Sequence, residues 1–496
     1  MLIRNAEING RSGMSVRLRG DRIAAVGPEL SREPGERVVQ AGGGMLVPGL
    51  HDHHIHLLAV AAADGSVRCG PPAVRNREEL AAALRAAATT TTTAAAAAAA
   101  AAATVQPGGW IRGVGYHDSV AGALTRADLD AMVADVPVRV QHRSGALWML
   151  NSAAVAAIGI DDHAGARGAA PAAAPPGAGR GPDGRPDGRL FRLDGWLRER
   201  LPPSPTPDLA AVGRGLAGFG VTGVTDATVG TGPAEVELLT AAVTRGDLPQ
   251  LLTLTGGPEL AAPAHPRLRL GPVKIVIDDG EPVEFDELVA LVRRARAAGR
   301  AVAVHCVTRA ALVLTLAVLQ AADDEPGAGH PGDRIEHGAV IPPDLLDQLV
   351  GRGLTVVTQP HFIAERGEQY LREVDGEDLP WLYRCAGLRR AGVAVAAGTD
   401  APFGDLDPWS SMRAAVARRT AAGSPIGPDE AVDAATALAL YLGDADRPGG
   451  PSRRIVPGAP ADLCLLAAPG RIALRTLSAD LVTLTIAAGH VVADNR

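Results

Sequence analysis

Four histidines fall within six residues of the run MLVPGLHDHHIHL, at His51, His53, His54 and His56. Strand side chains alternate faces, so a strand here puts Asp52, His54 and His56 on one face and His51, His53 and Ile55 on the other. Two imidazoles one pleat repeat apart can grip one cation, and imidazole suits zinc and similar divalent metals. Alone, the pattern arises often by chance. It gains meaning because three further apolar segments close on a metal-capable side chain: RAVAVHC on His305, DRIEHG on His337 and AGVAVAAGTDAP on Asp400.

Lys274 is the only lysine among 48 Lys plus Arg. It sits in RLGPVKIVIDD, an apolar run that reads as a buried parallel strand. A buried charge needing only an ion-pair partner could have been arginine. The position therefore reads as one that needs a primary amine, and one that is chemically modified.

In order and type, these positions resemble the metal-dependent amidohydrolase superfamily, whose pattern is HxH on barrel strand one, Lys on four, His on five, His on six and Asp on eight. The resemblance covers nearly the whole chain. WIRGVGYHD, TRADLDAMVADVPV, LNSAAVAAIGI, GVTGVTDA, RIEHG, TQPH and GTDAP make it most similar to the branch containing N-substituted formamide deformylase.

Elements that could position such residues are legible independently. GLHDHHIH, GVTGVTDA, PQLLTLTG, RLGPVKIVI, AVAVHC, the stretch through RIEHG, LTVVTQP and VAVAAGTD read as eight strands. Helical stretches such as EFDELVALVRRARAAG and PPDLLDQLVGRG lie between them, so the alternation predicts an α/β fold with a (β/α)8 barrel. Every candidate ligand falls at the C-terminal end of its strand, the barrel face where active sites are built. Short alternating strands at both ends, LIRNAEI and SVRLRGDRIAAVG, then ADLCLLAA, LVTLTIAAG and HVVADN, form one small β-sandwich if the resemblance holds. The expected division is 1–50 and 452–496 for the sandwich and 51–451 for the barrel, with a large insertion at about 64–210 after the first strand.

That insertion is too long for a structureless loop and reads as a lid or substrate-shaping segment. Its alanine- and threonine-rich tract predicts a partly helical spacer, and HAGARGAAPAAAPPGAGRGPDGRPDGR a mobile loop. Trp110 and Tyr116 could line a pocket, but packing is the simpler role.

Composition narrows the setting. At 496 residues and 47% hydrophobic content the chain can hold a barrel core, and a net charge of −7 gives no basic footprint for nucleic acid or anionic membrane. No secretory h-region opens the chain, and the four cysteines form no CxxC pair, which predicts a cytoplasmic protein with reduced structural thiols. A small-molecule substrate is the expected partner, with a homodimer left open.

The resemblance implies that His54 and His56 hold a more buried metal, that His305 and His337 hold a more exposed one, and that Asp400 reaches the first. Lys274 bridges them: an ammonium has no lone pair, but its neutral amine, favoured by burial, reacts with CO2 to give an anionic, bidentate carbamate. Two Zn2+ ions are the expected cofactors. They would generate a metal-activated hydroxide, with Asp400 taking its proton and passing it to the leaving group. The implied reaction is cleavage of a C–N bond other than a peptide bond, in a small N-acyl amide, formamide, carbamate or related ester. A mononuclear heterocycle deaminase of the same fold and a non-catalytic amidohydrolase-like scaffold are the alternatives; Lys274 and the filled ligand positions oppose them. Asp52, Asp278, Arg309 and His361 are secondary candidates for orienting ligands or meeting substrate. SGAL places Ala146 where the branch commonly has a histidine, and HCVTRA loses an acidic residue, so formamide specificity does not carry over.

Overall fold

The computed structural model describes residues 1–96, 105–106, 109–160, 175–202, 207–277, 284–323 and 329–496. The chain divides into two compact units, one made of 1–57 with 209–496 and the other of 58–208.

The first unit is built on eight parallel strands in chain order: β1 (Leu50–Ile55), β2 (Val221–Asp226), β3 (Leu251–Gly256), β4 (Leu268–Val276), β5 (Val302–Cys306), β6 (Arg334–His337), β7 (Thr355–Thr358) and β8 (Ala394–Ala397). β1 and β2 are buried at every position, as parallel strands covered on both faces must be. Amphipathic helices supply the outer cover. Phe285–Ala297 buries Val289, Val292 and Ala295, and Arg309–Ala322 starts where the Thr308 side chain accepts from the Ala311 N–H. The expected barrel architecture is borne out.

The circle closes between β1 and the chain after β8, where the Asp400 N–H donates to the His54 carbonyl at 2.7 Å and the His56 N–H to the Ala401 carbonyl at 2.9 Å. Gly398 permits this approach: a Cβ there would lie 2.5 Å from the His54 backbone nitrogen.

β1 is not a regular strand. Asp52 pairs with Val224 and Ile55 with Asp226, so three steps on β1 oppose two on β2. Such a bulge re-aims side chains and ends simple alternation.

Both ends of the chain meet in one eight-stranded sheet, where Met45–Pro48 runs antiparallel to Leu463–Leu466. Ile3, Ile8, Val16, Ile23, Leu463 and Ile486 share its apolar core.

The 58–208 unit has its own seven-stranded sheet and two cores. Its helix Arg77–Ala96 takes in the threonine run, and residues 97–104 lie outside the described residues. The Pro/Gly-rich stretch departs from the expected loop. Residues 161–174 are not described, but Ala178–Arg180 and Pro186–Phe191 pair as an antiparallel hairpin, with the Gly181 N–H donating to the Arg185 carbonyl at 2.8 Å. Pro-Asp-Gly is itself turn chemistry and can connect strands. Trp110 and Tyr116 are core residues of this unit.

All four cysteines are buried, and no disulfide joins them. No helix among the described residues is long and apolar enough to cross a membrane.

Candidate metal centre

His54 and His56 leave the C-terminal end of β1, Lys274 lies in β4, His305 in β5, His337 at the end of β6, and Asp400 three residues past β8. His54 Nε2 stands 3.4 Å and His56 Nε2 3.2 Å from the same atom, Asp400 Oδ1. Ligand-capable atoms of these three side chains all lie within 4.8 Å of one another. The His337 ring is 4.7 Å from His54 and 4.5 Å from His305, centroid to centroid, so the histidines form one continuous cluster.

Hydrogen bonds select the nitrogen that each imidazole presents. His54 Nδ1 bonds the Glu336 carboxylate, His56 Nδ1 meets Thr228 Oγ1 at 3.3 Å, and His337 Nδ1 meets Gln359 Oε1 at 2.9 Å. For His54 and His56, with Nδ1 engaged, Nε2 is left to face Asp400, the usual way of fixing a ligating tautomer. His337 and Asp400 also hold positive φ angles, 68° and 53°. Non-glycine residues rarely take that conformation, and it collects at functional sites.

Lys274 is buried, and its Nζ has no hydrogen-bond partner among the described residues. Burial lowers its pKa, opposed by Glu336 and Asp400. Burial pushes Asp400 the other way, but His54 and His56 hold its carboxyl well below the usual range. For His54, burial and Lys274 depress the pKa, yet the carboxylates of Glu336 and Asp400 outweigh them and raise it. His337 is pushed down to about 3, chiefly by burial. Carboxylate, neutral imidazole and an unpartnered buried amine together form a donor set that fits divalent cations.

The secondary candidates fare differently. Asp52 is engaged by the segment after β8. Its Oδ1 accepts from the His54 N–H at 3.1 Å and the Thr399 N–H at 3.0 Å, and its Oδ2 from Thr399 Oγ1 at 2.5 Å. It clasps backbone rather than orienting rings. His361 is not a solvated loop residue: it opens the helix His361–Glu373, is 1% exposed, and its Nε2 meets the Thr399 carbonyl at 2.9 Å. Arg309 is engaged by the Asp378 carboxylate and lies 5.5 Å from the Trp381 ring centroid. Asp278 lies outside the described residues.

Sequence reading missed Glu336, which is fully buried, bonds His54 and lies 2.5 Å from Arg334 Nε. Burial would raise its pKa, but Arg334, Lys274 and His54 hold it well below the ordinary value. The signal was present in RIEHG, where two charges interrupt a strand that must be buried on both sides. Gln359 and Thr228 left no comparable signal.

The Amidohydrolase family model matches residues 37–493. N-substituted formamide deformylase of Arthrobacter pascens is 26% identical over 485 residues, covering 88% of this chain and 86% of the relative. Among solved structures, an uncharacterised metal-dependent hydrolase of Pyrococcus horikoshii is similar at a TM-score of 0.70 and 20% identity, covering 94% of this chain and 97% of its own. N-isopropylammelide isopropylaminohydrolase of Burkholderia multivorans gives a TM-score of 0.52 at 18% identity, covering 100% and 98%. Atrazine chlorohydrolase of Arthrobacter aurescens, complexed with zinc, gives 0.53 at 16% identity, covering 100% and 95%. The structural likenesses establish a shared barrel fold, and the family match across nearly the whole sequence adds the lineage: the chain belongs to the amidohydrolase family.

Proposed function

We propose that this protein is a metal-dependent hydrolase that cleaves a C–N bond other than a peptide bond in a small N-acyl compound: an amide, formamide, carbamate or related ester. The observation that carries this reading is the convergence of His54 Nε2 and His56 Nε2 on Asp400 Oδ1. Under it, His54, His56 and Asp400 hold one divalent cation, zinc in the first instance, and His305 and His337 a second. Lys274, as its carbamate, would supply an anionic oxygen ligand to the same centre. Its burial and its unpartnered Nζ support that modification. Bound cations supply Lewis acidity, which acidifies water and polarises a substrate carbonyl.

The chain's own groups do the rest. Among the described residues Asp400 Oδ2 has no hydrogen-bond partner, and it lies 4.0 Å from His337 Nδ1, so it can receive the proton of an attacking water and return it to the departing nitrogen. Glu336 and Thr228 hold His54 and His56 in the tautomer that leaves Nε2 toward Asp400, and Gln359 fixes the His337 ring through Nδ1. Asp52 and Gly398 fix the seam on which His54 and Asp400 meet.

The test is metal content per chain, wild type against Lys274→Arg, both purified with bicarbonate and without chelator, followed by turnover of N-formyl and N-acetyl amides. Two metals and hydrolysis in wild type, with one or none and no hydrolysis in the variant, is the expected outcome. Full metal content and activity in Lys274→Arg would remove the bridging role.

A further inference from the structure

The helix His361–Glu373 carries Phe362, Arg366 and Tyr370 at four-residue spacing, which sets them on one face a turn apart. The Arg366 guanidinium lies 3.7 Å from the Phe362 ring centroid and donates through Nη2 to the Phe403 carbonyl. Phe403 packs edge-on against His56, with ring centroids 5.3 Å apart. Arg366 thus stands one residue away from the candidate metal centre.

A guanidinium offers five donors in one plane, and Arg366 uses one. Among the described residues it forms no ion pair, and other buried arginines of this unit have more of their donors engaged. Arg384 pairs with Glu430 at 2.8 Å, and Arg418 gives its donors to the carbonyls of Leu382, Tyr383, Ile426 and Gly427. Arg366 is fixed in orientation by an aromatic face and a carbonyl while most of its donors stay open.

Two phenols accompany it. Tyr370 and Tyr383 hydroxyls are 3.2 Å apart, and the Tyr383 ring is 5.5 Å from Phe362. Tyr383 takes a φ of 45°, an unfavourable conformation for a bulky residue. It is held there by its N–H to the Ala339 carbonyl at 2.9 Å and by Arg418 on its own carbonyl at 3.0 Å. Strain of this kind persists where the surroundings over-determine it, as in ligand clamps.

We propose that Arg366, flanked by the Tyr370 and Tyr383 hydroxyls, receives an anionic group of the substrate, so that the preferred substrates are N-acyl compounds bearing a carboxylate a few bonds from the scissile carbonyl. A planar guanidinium stacked on a ring is suited to forked recognition of a carboxylate. The proposal rests on the hydrolytic reading of the centre.

Binding of N-acetylglycine and of N-acetylglycinamide, measured by calorimetry on metal-free and zinc-loaded protein, tests it. Wild type is expected to favour the carboxylate by about tenfold or more in both forms, the scale of one charged hydrogen bond. Arg366→Gln removes that preference, Arg366→Lys retains part of it, and Tyr383→Phe weakens it several-fold, each checked by thermal melting for an intact fold. Equal binding of the two probes, no binding of the carboxylate, a preference that survives Arg366→Gln, or one that appears only with zinc would each overturn the proposal. Failure of the hydrolytic reading shows separately, as a carboxylate preference in a metal-loaded protein that turns over neither probe.

Discussion

β1 holds two histidine pairs with different fates. The lower pair, His51 and His53, stacks with ring centroids 4.5 Å apart. His51 Nε2 meets Thr225 Oγ1 at 3.0 Å, while neither nitrogen of His53 has a partner. Burial depresses both, His53 to about 3, with the charges of Arg334 and Arg453 adding to it. The upper pair, His54 and His56, converges on a carboxylate and has each Nδ1 engaged. Residue type is the same in both. What separates them is the neighbouring charge: arginines beside the lower pair repel a cation, and Asp400 beside the upper pair attracts one. A bulge between the pairs lets two histidine layers follow each other without sharing surroundings.

The largest effect that would sharpen this contrast comes from Asp400→Asn, which keeps the shape and removes the charge. Activity is expected to fall by about a thousandfold or more, as for loss of a proton-transferring group that also ligates, measured as kcat/KM on the best N-acyl amide. Glu336→Gln removes the carboxylate that engages His54 Nδ1 and faces Arg334 and Lys274, and should lower metal affinity by about 10–100-fold, read by competition with a chromogenic chelator. The smallest effect belongs to the lower pair: His53→Leu should leave metal content unchanged and alter stability by less than about 1.5 kcal/mol in denaturant unfolding. Loss of metal in that last variant would break the comparison, because it would make the lower pair part of the centre.

These contrasts also show what the sequence could reveal. The order of the barrel strands and the placement of His54, His56, Lys274, His305, His337 and Asp400 at strand ends were legible, because a parallel barrel puts every strand's C-terminal end on one face. The bonds of Asp52 to Thr399 were not legible, because alternation within one strand does not tell which distant segment comes to lie beside it. Glu336 was within reach, since a buried strand carries an Arg and a Glu only when each is compensated. Tyr383 and Arg366 were not: their meeting depends on a positive φ and on an arginine 35 residues away, at 418, that no periodicity connects to them. The hairpin at 178–191 was hidden because glycine and proline report turns without saying whether the turns join strands.

The closing seam gives the centre a further property. His54 and His56 belong to the first barrel strand and Asp400 follows the last, so the donor set is incomplete until the sheet has come full circle. A chain arrested with seven strands assembled would present histidines but no shared carboxylate. On the proposed metal-dependent reading, a cation that needs all three of these side chains would be taken up only by a finished ring. An ion so held would join the first barrel strand to the segment after the last.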